Sequence, residues 1–431
     1  MIARATVIIP TFGQAEFAVW SIKSVQAQTI RDIEICIICD GSPENMVSYF
    51  RAMAEEDPRI RVFLFPKGPR TGEVHRDVVI RRETKGRIIC YCAHDDLWLP
   101  NHVEEMEKSL ISYCFAHTIH ANINTPERIK QSGNLFNNIG YIDLANNYFV
   151  NNMLEGSMSC FGLTNGAHTR ESYLALKEGW VTTPQIKCKI LIGSNPIWFP
   201  TDLYMWNKFL SAYPDQCLTN AALTAIHFPI SYTPRREWSE GQRYEELGLF
   251  SQKIQDPVFI EKIRDIVCDF YQCEHEHFSN QPCNFDPAVA KKLPAYCEGV
   301  YGNEGDFCWL SSKAVIPLKI GNKREKGVEI VFDAHQALFH SAKRKSIKVS
   351  IIVGDKLLWS IKLTNPGRMR EIISGNRLPA ADKGVHHFEI LTSHSFNPSK
   401  MPDYFGHGYK DERDLTLALC YLGETKEKGD I

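Results

Sequence analysis

Short apolar runs bounded by polar residues alternate with helical patterns over the first ~115 residues, the signature of a parallel sheet with crossover helices. Strands are predicted at 6–10, 33–39, 60–65 and 87–92, and helices at about 16–28, 45–55, 72–84 and 101–111. Phe17, Trp20, Ile22 and Val25 mark one apolar face of the first helix. From ~115 to 235 the chain is mixed and richer in Asn and Gly, with a helix start at Thr201-Asp202-Leu203. Helical periodicity returns at 244–253 and 257–271. After ~300 the period changes to two, at 328–332, 347–353, 357–363, 387–391 and 415–422, a spacing that predicts an antiparallel β-sandwich. The expected organisation is an α/β domain over 1–238, a helical bridge over 239–299 and a β-sandwich over 300–431.

At 431 residues the chain can bury two or three cores. With 49 Lys+Arg against 51 Asp+Glu, the formal charge of −2 argues against a nucleic-acid surface. The first strand begins almost at once, leaving no room for a signal peptide, and no run nears the ~18 apolar residues of a membrane span, so a soluble, cytoplasmic protein is expected. Fourteen cysteines do not alter this, because Cys36, Cys39, Cys90, Cys92 and Cys420 fall inside apolar runs, as reduced buried thiols do. The cluster Cys268, Cys273, His275, His277 and Cys283 matches no zinc spacing, and its histidines alternate with acids as on a solvated surface.

The chemistry concentrates where the fourth apolar run, Ile88-Ile89-Cys90-Tyr91, passes into His94-Asp95-Asp96. Open α/β sheets place their sites beyond the carboxyl ends of strands, and paired acids there suit a hard cation held against phosphates. A helix-start role explains the same acids less well, since Asn101 and Glu104 already form a capping box for the next helix. Pro10-Thr11-Phe12, Asp40-Gly41-Ser42 and the stretch from Gly68 to Arg76 converge on that edge and outline a nucleotide pocket, although a turn role explains Asp40 equally well.

Taken together, Val7-Ile8-Ile9-Pro10-Thr11-Phe12, Ile37-Ile38-Cys39-Asp40-Gly41-Ser42, Arg76-Asp77 and His94-Asp95-Asp96-Leu97-Trp98-Leu99-Pro100 resemble the nucleotide-sugar half of glycosyltransferase family 2, which has a GT-A fold. The resemblance implies that Thr11 and Asp40 hold the nucleoside, that Arg76 approaches the donor, and that Asp95 binds Mn²⁺ or Mg²⁺ while Asp96 orients the loop or touches the sugar. The family's Asp-x-Asp reads Ala93-His94-Asp95 here, so its first acid is missing and His94 is a compensating candidate. Asp202 corresponds to the catalytic base, with Thr201 where the family often has an acid; a first-turn dipole role explains Asp202 as well. His227 is implied as a late metal ligand, and Arg235 and Arg236 as clamps on the diphosphate. The carboxy-terminal part is similar to sandwiches appended to some bacterial polysaccharide-assembly enzymes; Trp309, Trp359, His386 and His387 are its glycan-facing candidates, and core packing explains the same aromatics.

The implied activity is inverting, metal-dependent transfer of a sugar, with UDP as the expected carrier, to a hydroxyl of a cell-surface glycan or lipid-linked oligosaccharide, with peripheral contact at the inner membrane face and no nucleic acid. The missing acid at Ala93 favours an alternative, an impaired domain that binds glycan or acts as a scaffold. Nucleotidyl transfer fits less well, because Phe12-Gly13-Gln14-Ala15 is not a Gly-rich basic loop. Specificity is expected in the loops of residues 120–200.

Overall fold

The computed structural model describes residues 3–425 except 14, 139–140, 159–160, 193–194, 230–233, 281, 291, 322–326, 343–345, 382–383 and 406–409. The chain divides into two compact units, Met1–Cys273 and Glu274–Ile431.

The first unit opens with the expected alternation of β1 (Ala5–Thr11), α1 (Ala18–Gln26), β2 (Ile33–Asp40), α2 (Glu44–Glu56), β3 (Ile60–Phe65), α3 (Glu73–Arg82) and β4 (Ile88–Tyr91). It continues through β5 (Leu97–Trp98), α4 (His102–Ser109), β6 (Phe115–Ile123), α5 (Pro126–Ser132), β7 (Phe136–Asn138), α6 (Asn147–Leu154), β8 (Gly166–Thr169), α7 (Arg170–Ala175), β9 (Lys187–Ile192), β10 (Asn195–Trp198), α8 (Thr201–Ala212), β11 (Cys217–His227), α9 (Glu240–Lys253) and the part of α10 (Pro257–Ser279) up to Cys273.

The main sheet runs β3-β2-β1-β4-β8-β6-β11-β5, with β7 on β6. Strands β1 to β4 pair in parallel, Ile8 lying opposite both Cys36 and Tyr91. The sheet is mixed beyond them: β8 is antiparallel to both β4 and β6, whereas β11 is parallel to β6. Because β8 reverses direction between β4 and β6, strands β1, β2, β3, β4, β6 and β11 all end on one edge. Helices cover both faces of the central strands, so those strands are apolar throughout and every residue of β2 is buried. Helix α2 turns Met46, Val47, Phe50 and Met53 inward at helical spacing. Each Val or Ile so buried contributes about 1.5–3 kcal/mol, and Val7, Ile9, Ile35, Ile37 and Ile88 are all fully covered. A core of that strength can carry a few under-satisfied polar groups, at about 1–3 kcal/mol each, at the sheet edge.

The helices expected as a bridge are packed: Leu247, Phe250 and Ile254 of the α9 segment and Ile260, Ile263 and Val267 of α10 join a core with Leu97, Ile119 and Ile226. Helix α9 starts at a capping box made by Ser239 and Gln242. Among the described residues no helix is long and apolar enough to cross a membrane.

The second unit is antiparallel and sandwich-like. It comprises β12 (Asn284–Phe285), β13 (Glu298–Asn303), β14 (Cys308–Lys319), β15 (Val328–Ala334), α11 (Gln336–Ala342), β16 (Ile347–Val353), β17 (Lys356–Leu363), β18 (Gly367–Ile373), β19 (Val385–Thr392), α12 (Pro402–Phe405) and β20 (Leu417–Glu424). Its strand order is β17-β16-β19-β14-β20-β15-β18 around a core that includes Ile316, Phe332, Ile351, Phe388 and Leu419. Trp309 and Trp359 pack against that core, and His386 is buried, so three of the four glycan-facing candidates are engaged inward while His387 is exposed.

Candidate functional site

The shared edge of β1, β2 and β4 gathers most of the candidate residues, and the first two are held by short-range contacts. Thr11 closes β1, with its hydroxyl donating to the Ile38 carbonyl at 3.3 Å and lying 3.4 Å from the Ser42 hydroxyl. Asp40 closes β2, and its carboxylate accepts from Lys67 Nζ at 2.8 Å and from the Gly68 amide at 2.5 Å. A Cβ at Gly72 would lie 2.6 Å from Asp40 Oδ2, and the residue's φ of +70° is left-handed, so glycine is required there on both counts. Asp40 thus anchors the loop from Lys67 to Gly72 over the sheet edge. Beside it Phe12 is 56% exposed, with Lys67 Nζ 5.0 Å from its ring centre, leaving an aromatic surface at the mouth.

The loop after β4 separates its two acids. Residues 94 and 95 form a turn closed by the Asp96 amide donating to the Ala93 carbonyl at 3.3 Å, and the two acids leave it with different surroundings. Asp96 turns inward and is 2% exposed: Oδ1 accepts from His227 Nδ1 at 2.7 Å and from the Phe228 amide at 3.2 Å, and Oδ2 accepts from the Thr164 hydroxyl. Burial opposes its charge, but the adjacent His227 and these donors outweigh that cost and hold the carboxyl below its usual range. Burial likewise opposes a charge on His227, and the attraction of Asp96, with a smaller contribution from Asp95, raises its pKa nonetheless. Of the two roles expected for Asp96, orienting the loop or touching the sugar, its contacts suit the first: it is the buried partner of His227, Phe228 and Thr164.

Asp95 is half-exposed and makes no hydrogen bond or ion pair among the described residues. His94 is also committed elsewhere, its Nδ1 donating to the Pro10 carbonyl at 3.1 Å and its ring stacked on Phe17 at 5.5 Å. Ala93, in place of the missing acid, gives its amide to Thr164 Oγ1 at 3.1 Å.

A second group of charges lies between α3 and α8. Glu73 is completely buried in the first turn of α3, and its carboxylate accepts from the Thr71 amide (3.1 Å), the Thr183 amide and hydroxyl (3.3 and 3.1 Å) and the Thr201 hydroxyl (3.5 Å). One turn on, Arg76 is 4% exposed, with its guanidinium 4.7 Å from the Trp180 ring centre. Nη2 donates to the Thr71 carbonyl at 3.0 Å, whereas Nε and Nη1 have no partner among the described residues. Burial lowers its pKa, opposed chiefly by the charges of Asp202 and Glu73. Asp202, in the first turn of α8, is pushed above the usual carboxylate range by burial; Arg76 and the Leu163 amide pull it back, and Glu73 and Asp96 add to the rise. Asp202 therefore shares one electrostatic neighbourhood with Arg76 and with the loop after β4.

The two late arginines part company. Arg235 is 1% exposed and fully occupied: Nε and Nη2 form a double bridge to Glu246 at 2.8 and 2.6 Å, and Nη1 and Nη2 donate to the carbonyls of Ile123 and Asn124 at 2.9 and 2.8 Å. The diphosphate-clamp expectation for Arg235 is corrected accordingly, since its fork is spent on tying α9 to the end of β6. Arg236 is exposed.

Sequence reading missed Glu73, Thr164, Lys67 and Trp180. Glu73 looks like an ordinary first-turn helix acid, and its signal would have been that acid beside Arg76 on an otherwise apolar helix face. Thr164 carries no periodic signal at all.

As a metal site, the pair Asp95 and His227 supplies an unengaged carboxylate and an imidazole whose Nδ1 is fixed by Asp96, leaving Nε2 on a side chain that is 36% exposed. A carboxylate on the far nitrogen is the usual companion of a metal-binding histidine. No group of three or more His, Cys, Asp or Glu that could hold a metal occurs among the described residues. Two protein ligands suffice for a cation whose remaining positions are filled by water and phosphate, and one carboxylate with one imidazole suits Mn²⁺ better than Mg²⁺, which prefers an all-oxygen shell.

Comparison with known proteins adds the following. Residues 6–168 match the family model described as Glycosyl transferase family 2. A protein of Rickettsia conorii named as an uncharacterized glycosyltransferase is 31% identical over 132 residues, 30% of this chain and 21% of the relative. Chondroitin synthase of Escherichia coli is 30% identical over 140 residues, 32% of this chain and 19% of the relative. The matched stretch thus spans about a fifth of these relatives. Among solved structures, S. aureus TarS 1-349 in complex with UDP-GlcNAc is 11% identical, with a TM-score of 0.38 over 64% of this chain and 73% of that one, too loose for residue-by-residue correspondence.

Proposed function

We propose, from the match of residues 6–168 to the Glycosyl transferase family 2 model, that the chain transfers a sugar from a nucleoside-diphosphate donor, with UDP as the carrier, to a hydroxyl of a cell-surface glycan or lipid-linked oligosaccharide, with inversion at the anomeric carbon. The observation that carries this reading is the placement of Asp202, a carboxyl of raised pKa, within electrostatic reach of both Arg76 and the loop after β4.

In this reading the nucleoside lies along the ends of β1 and β2, where Phe12 offers a stacking face and Thr11 and the loop held by Asp40 and Lys67 form the walls. Asp95 and His227 would hold Mn²⁺ or Mg²⁺. When bound, the cation neutralises charge on the leaving diphosphate. Arg76 brings to the sugar side of the donor a buried positive charge whose Nε and Nη1 have no partner among the described residues, where hydrogen bonds to charged groups are strongest. Asp202 removes the proton of the acceptor hydroxyl as it attacks the anomeric carbon from the face opposite the departing diphosphate, and the raised pKa makes it a stronger base near neutral pH than a solvated aspartate. Arg236, exposed in the short turn Pro234–Glu237 that follows β11, is the remaining candidate for a diphosphate contact.

Ala93 favours a second reading, an impaired domain that binds glycan without turning it over. Thermal denaturation with UDP, with and without Mn²⁺, tests the donor site directly. A ligand that binds only the folded state at 100 times its Kd stabilises by about 2.7 kcal/mol. The proposal expects a Mn²⁺-dependent rise in Tm with UDP that is lost in Asp95→Ala; no rise with any nucleoside diphosphate would count against both donor binding and transfer.

A further inference from the structure

We propose that Glu73 is a positioning residue for the transfer, fixing the start of α8 and supplying the negative charge against which Asp202 and Arg76 are set. This inference rests on the reading of Asp202 as the base. Three segments far apart in the chain meet on one fully buried carboxylate: the loop at Thr71, the turn at Thr183 and the first residue of α8, Thr201. The contact at Thr201 is the informative one, because the next residue is Asp202. A carboxylate that fixes Thr201 also fixes the origin of the helix on which the base sits.

Burial of such a charge is costly unless it is compensated, and hydrogen bonds from neutral donors to both oxygens do this only in part. Arg76, three residues further along the same helix, carries the opposite charge in the same interior and lacks partners for two of its nitrogens. The groups facing Asp202 are therefore Arg76 and Glu73 from α3, Asp96 from the loop after β4, and the Leu163 amide. Of these, Arg76 favours the ionised carboxylate, whereas Glu73 and Asp96 oppose it. Glu73 thus keeps Arg76 from making Asp202 too weak a base, and it does so from a side chain that the acceptor need not touch.

The test compares four proteins: wild type, Glu73→Gln, Thr183→Val, and the relocation variant Glu73→Gln/Thr201→Glu. Glutamine keeps the side chain's shape and its acceptor toward Thr183 and Thr201 but removes the charge. Thr183→Val removes one hydrogen bond and keeps the charge. Release of UDP from a UDP-sugar is followed between pH 5 and 9 in the presence of Mn²⁺ and acceptor, with Tm recorded for each protein.

A nearby like charge raises a carboxyl pKa, and its removal lowers it. Glu73→Gln should therefore move the acid limb of kcat toward lower pH and reduce kcat at pH 7–8 severalfold, since a weaker base drives proton transfer less well. Thr183→Val should lower Tm without moving the limb. The relocation variant, with its carboxylate at position 201, should return the limb toward that of wild type. An unmoved limb in Glu73→Gln, or the same shift in Thr183→Val, would reduce Glu73 to a structural knot while leaving the transferase reading intact. Absence of UDP release by wild type from every donor tried would remove the reading itself.

Discussion

Nδ1 of His227 donates to Oδ1 of Asp96 across 2.7 Å, joining the last residue of β11 to the loop that follows β4. This contact explains why two adjacent acids have different fates. Asp96 is spent holding a histidine, and Asp95 is left half-exposed with no partner among the described residues. The metal-binding pair of the proposal is thus assembled by a buried ion pair, the second carboxylate acting through the imidazole.

Asp96→Ala should be far more damaging to the fold than Asp95→Ala. Removing Asp96 leaves the Thr164 hydroxyl, the Phe228 amide and the half-exposed His227 imidazole without their acceptor, at a cost of about 1–3 kcal/mol, whereas a half-exposed carboxylate without a partner among the described residues contributes little. Chemical denaturation of both variants measures this. Equal losses of stability would mean that the inward turn of Asp96 is unimportant.

The two late arginines provide a contrast of the same kind. Arg235→Ala breaks the double bridge to Glu246 and frees two backbone carbonyls, with an expected loss of about 3–5 kcal/mol. Arg236→Ala should leave stability within about 0.5 kcal/mol of wild type. Melting curves compare the two directly, and an Arg235→Ala protein as stable as wild type would contradict the structural role given to that side chain.

Acidification should unfold the first unit steeply. Burial holds His102, His117 and His168 to pKa values of about 3 and His120 to about 4, against an ordinary value near 6.5. Below about pH 6.5 the unfolded chain binds protons that the folded chain refuses, so each of these histidines costs about 1.4 kcal/mol of stability per pH unit as pH falls toward its folded value. His227 acts in the opposite sense. Its raised pKa contributes stability present below about pH 6.5 and lost as pH rises through the folded value, and the lowered pKa of Asp96 contributes stability present above about pH 4 and lost as pH falls through its own. Unfolding monitored from pH 7 to 4.5 should therefore show uptake of three to four protons near pH 5; a slope corresponding to one proton or fewer would place these imidazoles in contact with water.

Much of the fold could be read from residues alone. The runs at Val7, Ile37 and Ile89 are apolar because both faces of a parallel strand are covered, and that pattern has few alternative readings. Strand β8 was illegible because Gly166-Ala167-His168-Thr169 is too short to show a period, and it is one of the strands, with β5 and β7, that make the sheet mixed. The site was legible as a set of types and positions, because acids at strand ends are conspicuous. Which of two neighbouring acids faces inward depends on what the fold brings to it, here Thr164 and His227, 68 and 131 residues away. Arg235 was misread for the same reason, since nothing in a surface-like basic turn announces Glu246 eleven residues later as its partner.

The central claim is that Asp202 deprotonates an acceptor at a donor site held through Asp95, and the most direct measurement is nucleoside diphosphate release from a panel of UDP-sugars with Mn²⁺ and a glycan acceptor, in wild type, Asp202→Asn and Asp95→Ala. General-base catalysis contributes about 10²- to 10⁴-fold, so Asp202→Asn should lose at least 100-fold in kcat while retaining the Mn²⁺-dependent thermal shift with UDP. Asp95→Ala should lose both turnover and that shift. Turnover in Asp202→Asn equal to that of wild type, or full metal-dependent activity in Asp95→Ala, would contradict the account.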